Sequence, residues 1–390
     1  MRFLDVHDDI IFCKDSANRM NGKISIDVFF NFFVAVFPSD LRKTPSAIAA
    51  SMIFLYFCTK AKQMEHISWG FIGCGEVTEK KSGPAFNEVE GSHVEAVMSR
   101  SEVKARSYAE RHGIRKWYTD PQSLIDDPDV NAIYIATPPS SHATFAIMAM
   151  RAGKPVYVEK PLASSYDDCI RINRISEETG VPCFVAYYRR YLPYFQRVKS
   201  ILDNHLLGKI FNVSVRFSVP PRDLDYQHSG NLPWRLQPDI AGGGYFYDLA
   251  PHQLDLIQLF FGPIVKAHGY CANRMHLYEA EDTIAACFRF QTGVVGSGSW
   301  CFVGHPSARQ DLITITGEWG KLSFSTYTYD PIRLATSDGE QSITVPNPPY
   351  VQLPIIKQVI EDLQGKAVCD CTSQSATLTN WVMDRVLGKF

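Results

Sequence analysis

Short apolar segments alternate with amphipathic segments over residues 68–186, and this alternation constrains the fold more than any other feature of the chain. The apolar segments have the length of buried strands, and the segments between them have helical periodicity. The predicted strands cover residues 68–72, 93–98, 131–136, 155–158 and 182–186, and the predicted helices cover residues 102–112, 140–152 and 167–179. This order of elements predicts an α/β fold with a doubly wound parallel sheet.

The first predicted strand runs directly into a glycine-containing turn at residues 73–78, with the sequence GCGEVT. In a dinucleotide-binding turn, the first glycine permits a tight bend and the second lets the backbone approach a pyrophosphate at the next helix N-terminus. Thr78 occupies the third position of this pattern, where a small residue is usual. A turn without ligand is the alternative. The residues predicted to contact the dinucleotide are Gly73, Cys74, Gly75, Glu76 and Val77.

The end of the second predicted strand bears on the choice of cofactor. NAD-binding proteins usually place an acidic residue there for the ribose 2′-hydroxyl, but this chain has Ser99 and Arg100. A hydroxyl and a guanidinium group suit a 2′-phosphate, because arginine offers phosphate a charged pair of N–H donors. We therefore predict NADP as the cofactor, with NAD as the alternative. If Arg100 does not bind a phosphate, the alternative is that it is simply a solvent-exposed residue at the end of the strand.

Two further predicted strands are followed by polar segments, residues 136–142 and 159–161. Ligands of open parallel sheets bind at the carboxyl ends of the strands. We therefore expect both segments to line a cleft, although a Glu-Lys-Pro sequence at 159–161 also suits a surface turn.

A second group of polar residues follows the glycine triplet at 242–244. Asp248 and His252 are four positions apart and so share one face of a helix. Pro251 should then lie in the first turn of that helix, where its missing N–H is harmless. The triplet allows another stretch of backbone or a ligand to approach closely. A structural Asp–His hydrogen bond is the alternative to a catalytic pair.

Charge and cysteine usage exclude several classes of protein. Lys and Arg number 39 against 41 Asp and Glu, a net charge of −2, and no basic stripe is present, so we expect no nucleic acid partner. Ten scattered cysteines are typical of a reducing compartment, which predicts a cytoplasmic protein. Cys369 and Cys371 lack a second ligand pair at zinc spacing, so no metal is expected.

Residues 1–63 differ in character from the rest of the chain. They contain an acidic start and two apolar runs, each shorter than the roughly 20 residues that a membrane-spanning helix needs. We treat them as an extension of doubtful status, with translation starting at Met64; a membrane-anchored form is the alternative, and no membrane partner is expected.

Together these motifs resemble the Gfo/Idh/MocA family, the group of glucose-fructose oxidoreductase and inositol dehydrogenase. The resemblance covers Met64 to Phe390 and implies a Rossmann domain at 64–187 and a C-terminal α+β domain at 188–390. The second domain would contain a large, mostly antiparallel sheet and mediate assembly into a homodimer or homotetramer. Predicted strands at 210–219, 281–290, 293–302 and 311–316, and helices near 353–364 and 373–388, agree with this layout.

The resemblance also implies roles for individual residues. Lys160, Asp248 and His252 correspond to the catalytic group. His252 would act as acid or base, Lys160 would stabilise negative charge on the reacting oxygen, and Asp248 would orient His252 or bind a neighbouring hydroxyl. Sequence does not decide whether Lys160 or His252 moves the proton. The implied cofactor contacts are Thr137, Pro138, His142, Glu159 and Lys160, and the implied substrate contacts are Tyr188, Arg189, Trp234 and Arg235.

The predicted function is an NAD(P)-dependent dehydrogenase or reductase that acts on a CH–OH group of a sugar, sugar derivative or polyol. One alternative is an enzyme that cleaves glycosides through transient oxidation of the sugar. Another is a non-catalytic sensor that binds dinucleotide, although such a protein would be expected to lack the lysine or the histidine.

Overall fold

The computed structural model describes residues 64–226 and 232–390. Met64–Phe390 forms one compact unit. The predictions for residues 1–63, including translation from Met64 and the membrane-anchored alternative, lie outside the described residues. Within the described residues, no helix combines the length and apolar character needed to cross a membrane. Nor do three or more His, Cys, Asp or Glu side chains gather there in a way that could hold a metal ion.

A six-stranded parallel sheet forms from the N-terminal part of the described chain. Its strands are β1 (Ile67–Ile72), β2 (Ser92–Met98), β3 (Lys116–Tyr118), β4 (Ala132–Ile135), β5 (Val156–Val158) and β6 (Cys183–Val185). Their spatial order is β3-β2-β1-β4-β5-β6, and every neighbouring pair is parallel. The strand order reverses between β1 and β4, as in a doubly wound sheet. The predicted α/β fold is thus confirmed.

The helices of this part are α1 (Glu76–Lys80), α2 (Gly83–Asn87), α3 (Glu102–His112), α4 (Pro121–Ile125), α5 (His142–Arg151) and α6 (Tyr166–Thr179). Local sequence determines where the longer helices begin and end. The Ser101 hydroxyl accepts a hydrogen bond from the Lys104 amide at the start of α3, and Gly113 ends that helix with φ +65°. Ser165 and Gly180 do the same for α6. Serine caps and left-handed glycines are common at these positions.

The second sheet has eight strands and is mostly antiparallel. They are β7 (Ile210–Ser218), β8 (Ile264–Ala272), β9 (Thr283–Phe290), β10 (Val295–Cys301), β11 (Gln310–Gly317), β12 (Gly320–Phe324), β13 (Ile332–Thr336) and β14 (Gly339–Ile343). Their order is β14-β13-β12-β11-β7-β10-β9-β8, in which only the β7–β10 pair is parallel. The predicted second sheet is therefore confirmed.

Helices cover one face of the second sheet, and some of them also pack against the region of the first sheet. They are α7 (Pro193–Asp203), α8 (Pro238–Ala241), α9 (Gly244–Phe261), α10 (Leu353–Leu363) and α11 (Ser373–Val386). Trp300 on β10 donates a hydrogen bond from its indole nitrogen to Gln253 on α9, 2.6 Å away. Asn380 on α11 donates to the carbonyl of Ala163, next to the first sheet. The C-terminal helices therefore pack against both parts of the unit, while the domain boundary at 187/188 stays a prediction.

Candidate active site

Four neighbouring strands bring predicted site residues to one edge of the parallel sheet. The strands β2, β1, β4 and β5 stand side by side, and because they are parallel their carboxyl ends meet at the same edge. Ser99 follows β2, Gly73 follows β1, Thr137 lies just beyond β4, and Glu159 follows β5. The sheet thus places the predicted cofactor residues in a row.

The two glycines of the first turn differ in what requires them. Gly73 has φ +111°, and a Cβ at this position would lie 2.8 Å from the carbonyl oxygen of Ala136, so β1 and β4 leave room only for glycine. Gly75 has no atom within 4 Å of where its Cβ would lie. This open space lies at the N-terminus of α1, and therefore the turn fits a pyrophosphate group.

Thr78, which replaces the third glycine of the pattern, is fully buried. Its hydroxyl donates to the carbonyl of Gly75 at 2.8 Å, and its own carbonyl accepts from the Tyr108 hydroxyl at 3.0 Å. The larger side chain is accommodated because the polar atoms around it are hydrogen-bonded.

The other residues of the turn are placed as follows. Cys74 has its sulfur 3.6 Å from the carbonyl of Met98, and burial raises the pKa of its thiol to about 12. Glu76 is exposed and forms an ion pair with Lys80 at 3.0 Å, and Val77 is half-buried. Cys74 is thus a protonated thiol at neutral pH and not a nucleophile.

Ser99 and Arg100 lie where β2 ends. The Ser99 hydroxyl accepts a hydrogen bond from the Ser101 amide at 3.3 Å. Arg100 is exposed, and its side chain forms no hydrogen bond or ion pair with any residue that the structure describes. Its guanidinium group is therefore available to a ligand phosphate.

His142 joins the loops that follow β4 and β5. It is fully buried, with Nε2 at 2.7 Å from the carbonyl of Thr137 and Nδ1 at 3.0 Å from that of Pro161. Burial lowers the pKa of His142, although both carbonyls oppose this shift. Thr137 also accepts a hydrogen bond from Ser141, while Pro138 precedes the short 3₁₀ turn. The ring nitrogens of His142 thus hold the cofactor loops rather than facing open space.

Glu159 directly follows β5 and is buried at the edge of the sheet. It is 7% exposed, and its Oε1 accepts hydrogen bonds from the Tyr134 hydroxyl and the Gln352 amide, each at 2.7 Å. This carboxylate therefore ties β4, β5 and the segment before α10 together directly behind Lys160.

Lys160 makes the central polar contact of the site. Its Nζ lies 2.7 Å from both the carbonyl oxygen and Oδ1 of Asp248, and Arg235 Nε lies 3.3 Å from Oδ2 of the same carboxylate. Burial acts to raise the pKa of Asp248, but the two cations outweigh it and the pKa is lowered. Sequence-distant residues at 160, 235 and 248 thus form one ionic cluster.

His252 lies one turn after Asp248 on α9, on the same helix face. It is 3% exposed, its Nδ1 is buried without a hydrogen-bond partner, and the Tyr188 ring contacts it at 5.1 Å between centroids. Burial lowers the pKa of His252 well below its usual value, with a smaller effect from nearby cations such as Arg189. The imidazole is therefore neutral at pH 7.

The expectation that Asp248 orients His252 is not met in this structure. Both carboxylate oxygens of Asp248 are bound to cations, and no hydrogen bond joins it to His252. Two positive charges at short distance compete more effectively for a carboxylate than a neutral imidazole does.

The prediction for Pro251 is also wrong, because this proline lies in the interior of α9. A proline there lacks the N–H that would donate to the carbonyl of Tyr247, four residues earlier. In the turn that precedes the proline, the carbonyl of Asp248 accepts a hydrogen bond from Lys160 Nζ at 2.7 Å, and that of Leu249 accepts one from the Tyr327 hydroxyl at 2.5 Å. This turn of α9 thus supplies two backbone acceptors to the site.

The glycine triplet before α9 serves close packing of the protein itself. A Cβ on Gly242 would lie 2.6 Å from the carbonyl oxygen of Ser164, and one on Gly244 would lie 2.5 Å from the Ala280 side chain. Of the two explanations open at the level of sequence, close approach of protein atoms is the one that the structure shows.

The predicted substrate residues all lie around this cluster. Arg189 is 3% exposed, donates to the Thr326 carbonyl at 3.0 Å, and has its guanidinium carbon 4.8 Å from the ring centroid of Tyr188. The guanidinium carbon of Arg235 lies 4.4 Å from the ring centroid of Trp234. Each arginine is thus held against an aromatic face.

Sequence reasoning missed three residues of the site. Tyr327 packs 4.5 Å from the Arg189 guanidinium and approaches His252, and Asp311 fixes its loop by accepting from the Tyr327 amide at 2.5 Å. Arg222 lies over the ring of Tyr245 at 4.8 Å. No motif distinguishes these residues, because strand pairing in the second sheet is what brings them to α9.

Together the fold and the site define an oxidoreductase that binds a nicotinamide dinucleotide on a Rossmann sheet. The chain belongs to the Gfo/Idh/MocA family. The family model "Oxidoreductase family, NAD-binding Rossmann fold" matches residues 67–187, and the model "GFO/IDH/MocA C-terminal domain" matches residues 195–323. The predicted family membership is thus confirmed.

Relatives and solved structures agree with this assignment. The chain is 36% identical to Oxidoreductase P35 of Formosa agariphila over 323 residues, which is 83% of this chain and 98% of that protein. It is 25% identical to scyllo-inositol 2-dehydrogenase (NAD(+)) of Bacillus subtilis over 73% of this chain and 81% of that protein. Levoglucosan dehydrogenase in complex with NADH and levoglucosan has a similar fold, with a TM-score of 0.75 at 20% identity over 83% of this chain and 96% of that one.

Proposed function

We propose that this enzyme is an NAD(P)-dependent dehydrogenase or reductase that moves a hydride between nicotinamide and a CH–OH carbon of a sugar or polyol. The observation that carries the proposal is the contact of Lys160 Nζ with Asp248 at 2.7 Å, beside the neutral His252 and at the edge that binds dinucleotide in such sheets. Relatives named inositol dehydrogenases and 1,5-anhydro-D-fructose reductase support a polyhydroxylated substrate.

The residues at the sheet edge fit the cofactor. The open space at Gly75 would take the pyrophosphate, Ser99 and Arg100 the adenosine ribose, and Thr137, Pro138 and Lys160 the nicotinamide side. When bound, the nicotinamide ring accepts or supplies the hydride.

In the oxidation direction, the substrate C–H bond breaks with its electron pair leaving, while the hydroxyl oxygen loses a proton and forms the C=O bond. His252 is neutral and can take this proton, and Nε2 is the nitrogen that can face substrate because Nδ1 is sealed inside the protein. The Lys160 ammonium stabilises the developing alkoxide, and Asp248 holds Lys160 in place. Reduction reverses each step.

We further propose NADP as the preferred cofactor, since Arg100 follows β2 and its side chain pairs with no other residue among those that the structure describes. The full chain should bind NADPH more tightly than NADH, and Arg100→Ala should weaken NADPH binding about 10- to 100-fold while leaving NADH unchanged. Calorimetric titration measures both constants. Arg106→Ala is the matched control, because this exposed arginine forms an ion pair with Glu110 on its own helix. Equal binding of NADH, unchanged in Arg100→Ala, would make NAD the cofactor.

Assembly and location remain part of the proposal. The face of the second sheet opposite the helices exposes apolar side chains, among them Tyr270 and Val295, and we propose that it mediates a homodimer or homotetramer. A cytoplasmic location rests on the scattered cysteines of the sequence.

The proposed activity is tested with the full chain, both oxidised cofactors and a panel of sugars and polyols, by following reduced nicotinamide. Turnover that is lost in Lys160→Ala and His252→Ala supports the proposal. Cofactor binding without any hydride transfer, or full turnover in Lys160→Ala, would contradict it.

A further inference from the structure

Three arginines around Asp248 and His252 rest on aromatic rings. The guanidinium carbon of Arg189 lies 4.8 Å from the ring centroid of Tyr188 and 4.5 Å from that of Tyr327. The guanidinium carbon of Arg222 lies 4.8 Å from the ring centroid of Tyr245, and that of Arg235 lies 4.4 Å from that of Trp234. An aromatic face holds the plane of a guanidinium group while leaving its in-plane N–H donors free. These arginines are therefore fixed in direction and still able to bind an anion.

Protein carboxylates do not use up these donors. Arg235 makes one contact with Asp248, from Nε at 3.3 Å, and that carboxylate is shared with Lys160. Among the described residues, the Arg189 guanidinium group donates to the Tyr188 hydroxyl and the Thr326 carbonyl and to no carboxylate. The Arg222 side chain forms no ion pair within residues 64–226 and 232–390. Two cations thus share one carboxylate, and further positive charge lies beside them.

The other acidic residues close to the arginines are committed to their own loops. Asp225 is fully buried and accepts from the Tyr245 hydroxyl at 2.6 Å and from the Arg222 backbone amide at 2.8 Å. Asp311 accepts from the backbone amides that follow β12. In the described part of the chain, neither carboxylate forms an ion pair or a hydrogen bond with a guanidinium group.

Arg222 and Arg235 contact neighbouring residues in the first turns of α9. Tyr245 and Asp248 are three residues apart on this helix and therefore project from the same face, about one turn apart. The ring of Tyr245 supports Arg222, and the carboxylate of Asp248 binds Arg235. The two guanidinium groups consequently flank the position where Lys160 enters the site.

We propose that the substrate is an acidic sugar whose carboxylate binds Arg222 and Arg235 while its reacting hydroxyl lies against Lys160 and His252. A planar carboxylate matches the two-pronged donor geometry of arginine. This proposal rests on the proposed oxidoreductase function and narrows its substrate to uronic or aldonic acids. A sugar phosphate carries similar charge on a tetrahedral group, and the experiment includes it as a separate arm.

The test compares matched pairs of substrates with the full chain and its preferred cofactor. D-glucuronate and D-galacturonate are set against D-glucose, D-galactose and D-glucose 6-phosphate, and both kcat/KM and binding to the cofactor-loaded protein are measured. At least one acid should be favoured over its neutral counterpart by about 10- to 100-fold. Added salt should reduce the preference, because charge attraction at a solvent-accessible mouth is screened.

Variants separate a carboxylate contact from general damage. Arg222→Gln should lower kcat/KM for the acid about 10- to 100-fold more than for the neutral sugar, and Arg222→Lys should retain part of the preference for the acid. Arg174 is exposed on α6 and forms an ion pair with Glu178 on the same helix, so Arg174→Gln should change kcat/KM for neither substrate. The inference is refuted if no acid exceeds its neutral counterpart about tenfold in turnover or binding, if the phosphate is preferred, or if Arg222→Gln lowers both substrates equally. Failure to bind either cofactor would instead refute the proposed function itself.

Discussion

Replacing Lys160 with methionine tests the ionic cluster in both stability and activity. The Lys160 and Asp248 side chains are 14% and 18% exposed, and their atoms lie 2.7 Å apart. Removing one partner of a fully buried pair costs about 3–5 kcal/mol. Here Arg235 remains 3.3 Å from Asp248 and compensates part of its charge, so we expect a loss of about 1–3 kcal/mol in the free energy of unfolding.

The effect on catalysis should be larger than the effect on stability. Loss of one group that stabilises an oxyanion lowers kcat about 100- to 1000-fold. The assays are urea unfolding and kcat at saturating cofactor and sugar, with Lys199→Met as the matched control. That lysine pairs with Asp203 on the surface of α7, where a loss of no more than about 0.5 kcal/mol is expected. A Lys160→Met protein of reduced stability but unchanged kcat would show that Lys160 has only a structural role.

Two further predictions concern pH and the glycine turn. The folded protein keeps His252 neutral, because burial holds its pKa well below the usual 6.5, whereas the unfolded chain takes up a proton near that value. The free energy of unfolding, measured with urea, should therefore fall as pH drops below about 6.5, and it should fall less steeply in His252→Asn. Parallel plots of this free energy against pH for the two proteins would contradict the prediction. Gly73→Ala should lower the free energy of unfolding by about 1–3 kcal/mol, because φ at this position is +111° and the Ala136 carbonyl leaves no room for a Cβ. Gly75→Ala should weaken cofactor binding but leave Tm unchanged, because no protein atom lies near its Cβ position. Equal melting temperatures for the two alanine variants would refute the distinction.

The first sheet could be predicted from sequence because its central strands are buried on both faces and read as continuous apolar runs. The strand Ala132–Ile135, for example, is fully buried over its whole length. The edge strand Lys116–Tyr118 was missed, since it has three residues and exposes Trp117. The strands at Ile264–Ala272 and Gly339–Ile343 form the two edges of the second sheet, and of their residues only Ile264 is buried. Their sequences therefore lack the alternation that identifies a half-buried strand.

The candidate site could be predicted where it follows strand ends or helix spacing, as for Gly73, Lys160 and the pair on α9. Contacts that depend on how the two sheets meet could not be predicted. Pairing of Asp248 with Lys160 rather than with His252 depends on the distance across the cleft, and sequence spacing carries no information about it. The same holds for Tyr327, which reaches the site only because its loop folds back from the second sheet.

A crystal structure of the full chain with its reduced cofactor and the sugar that it turns over would show whether Lys160 and His252 contact the reacting hydroxyl. We expect the pyrophosphate to lie against the open space at Gly75 and the reacting hydroxyl to lie about 2.6–3.2 Å from both Lys160 Nζ and His252 Nε2. A cofactor bound elsewhere, or a hydroxyl out of hydrogen-bond reach of both residues, would contradict the assignment of this cluster as the site of hydride and proton transfer.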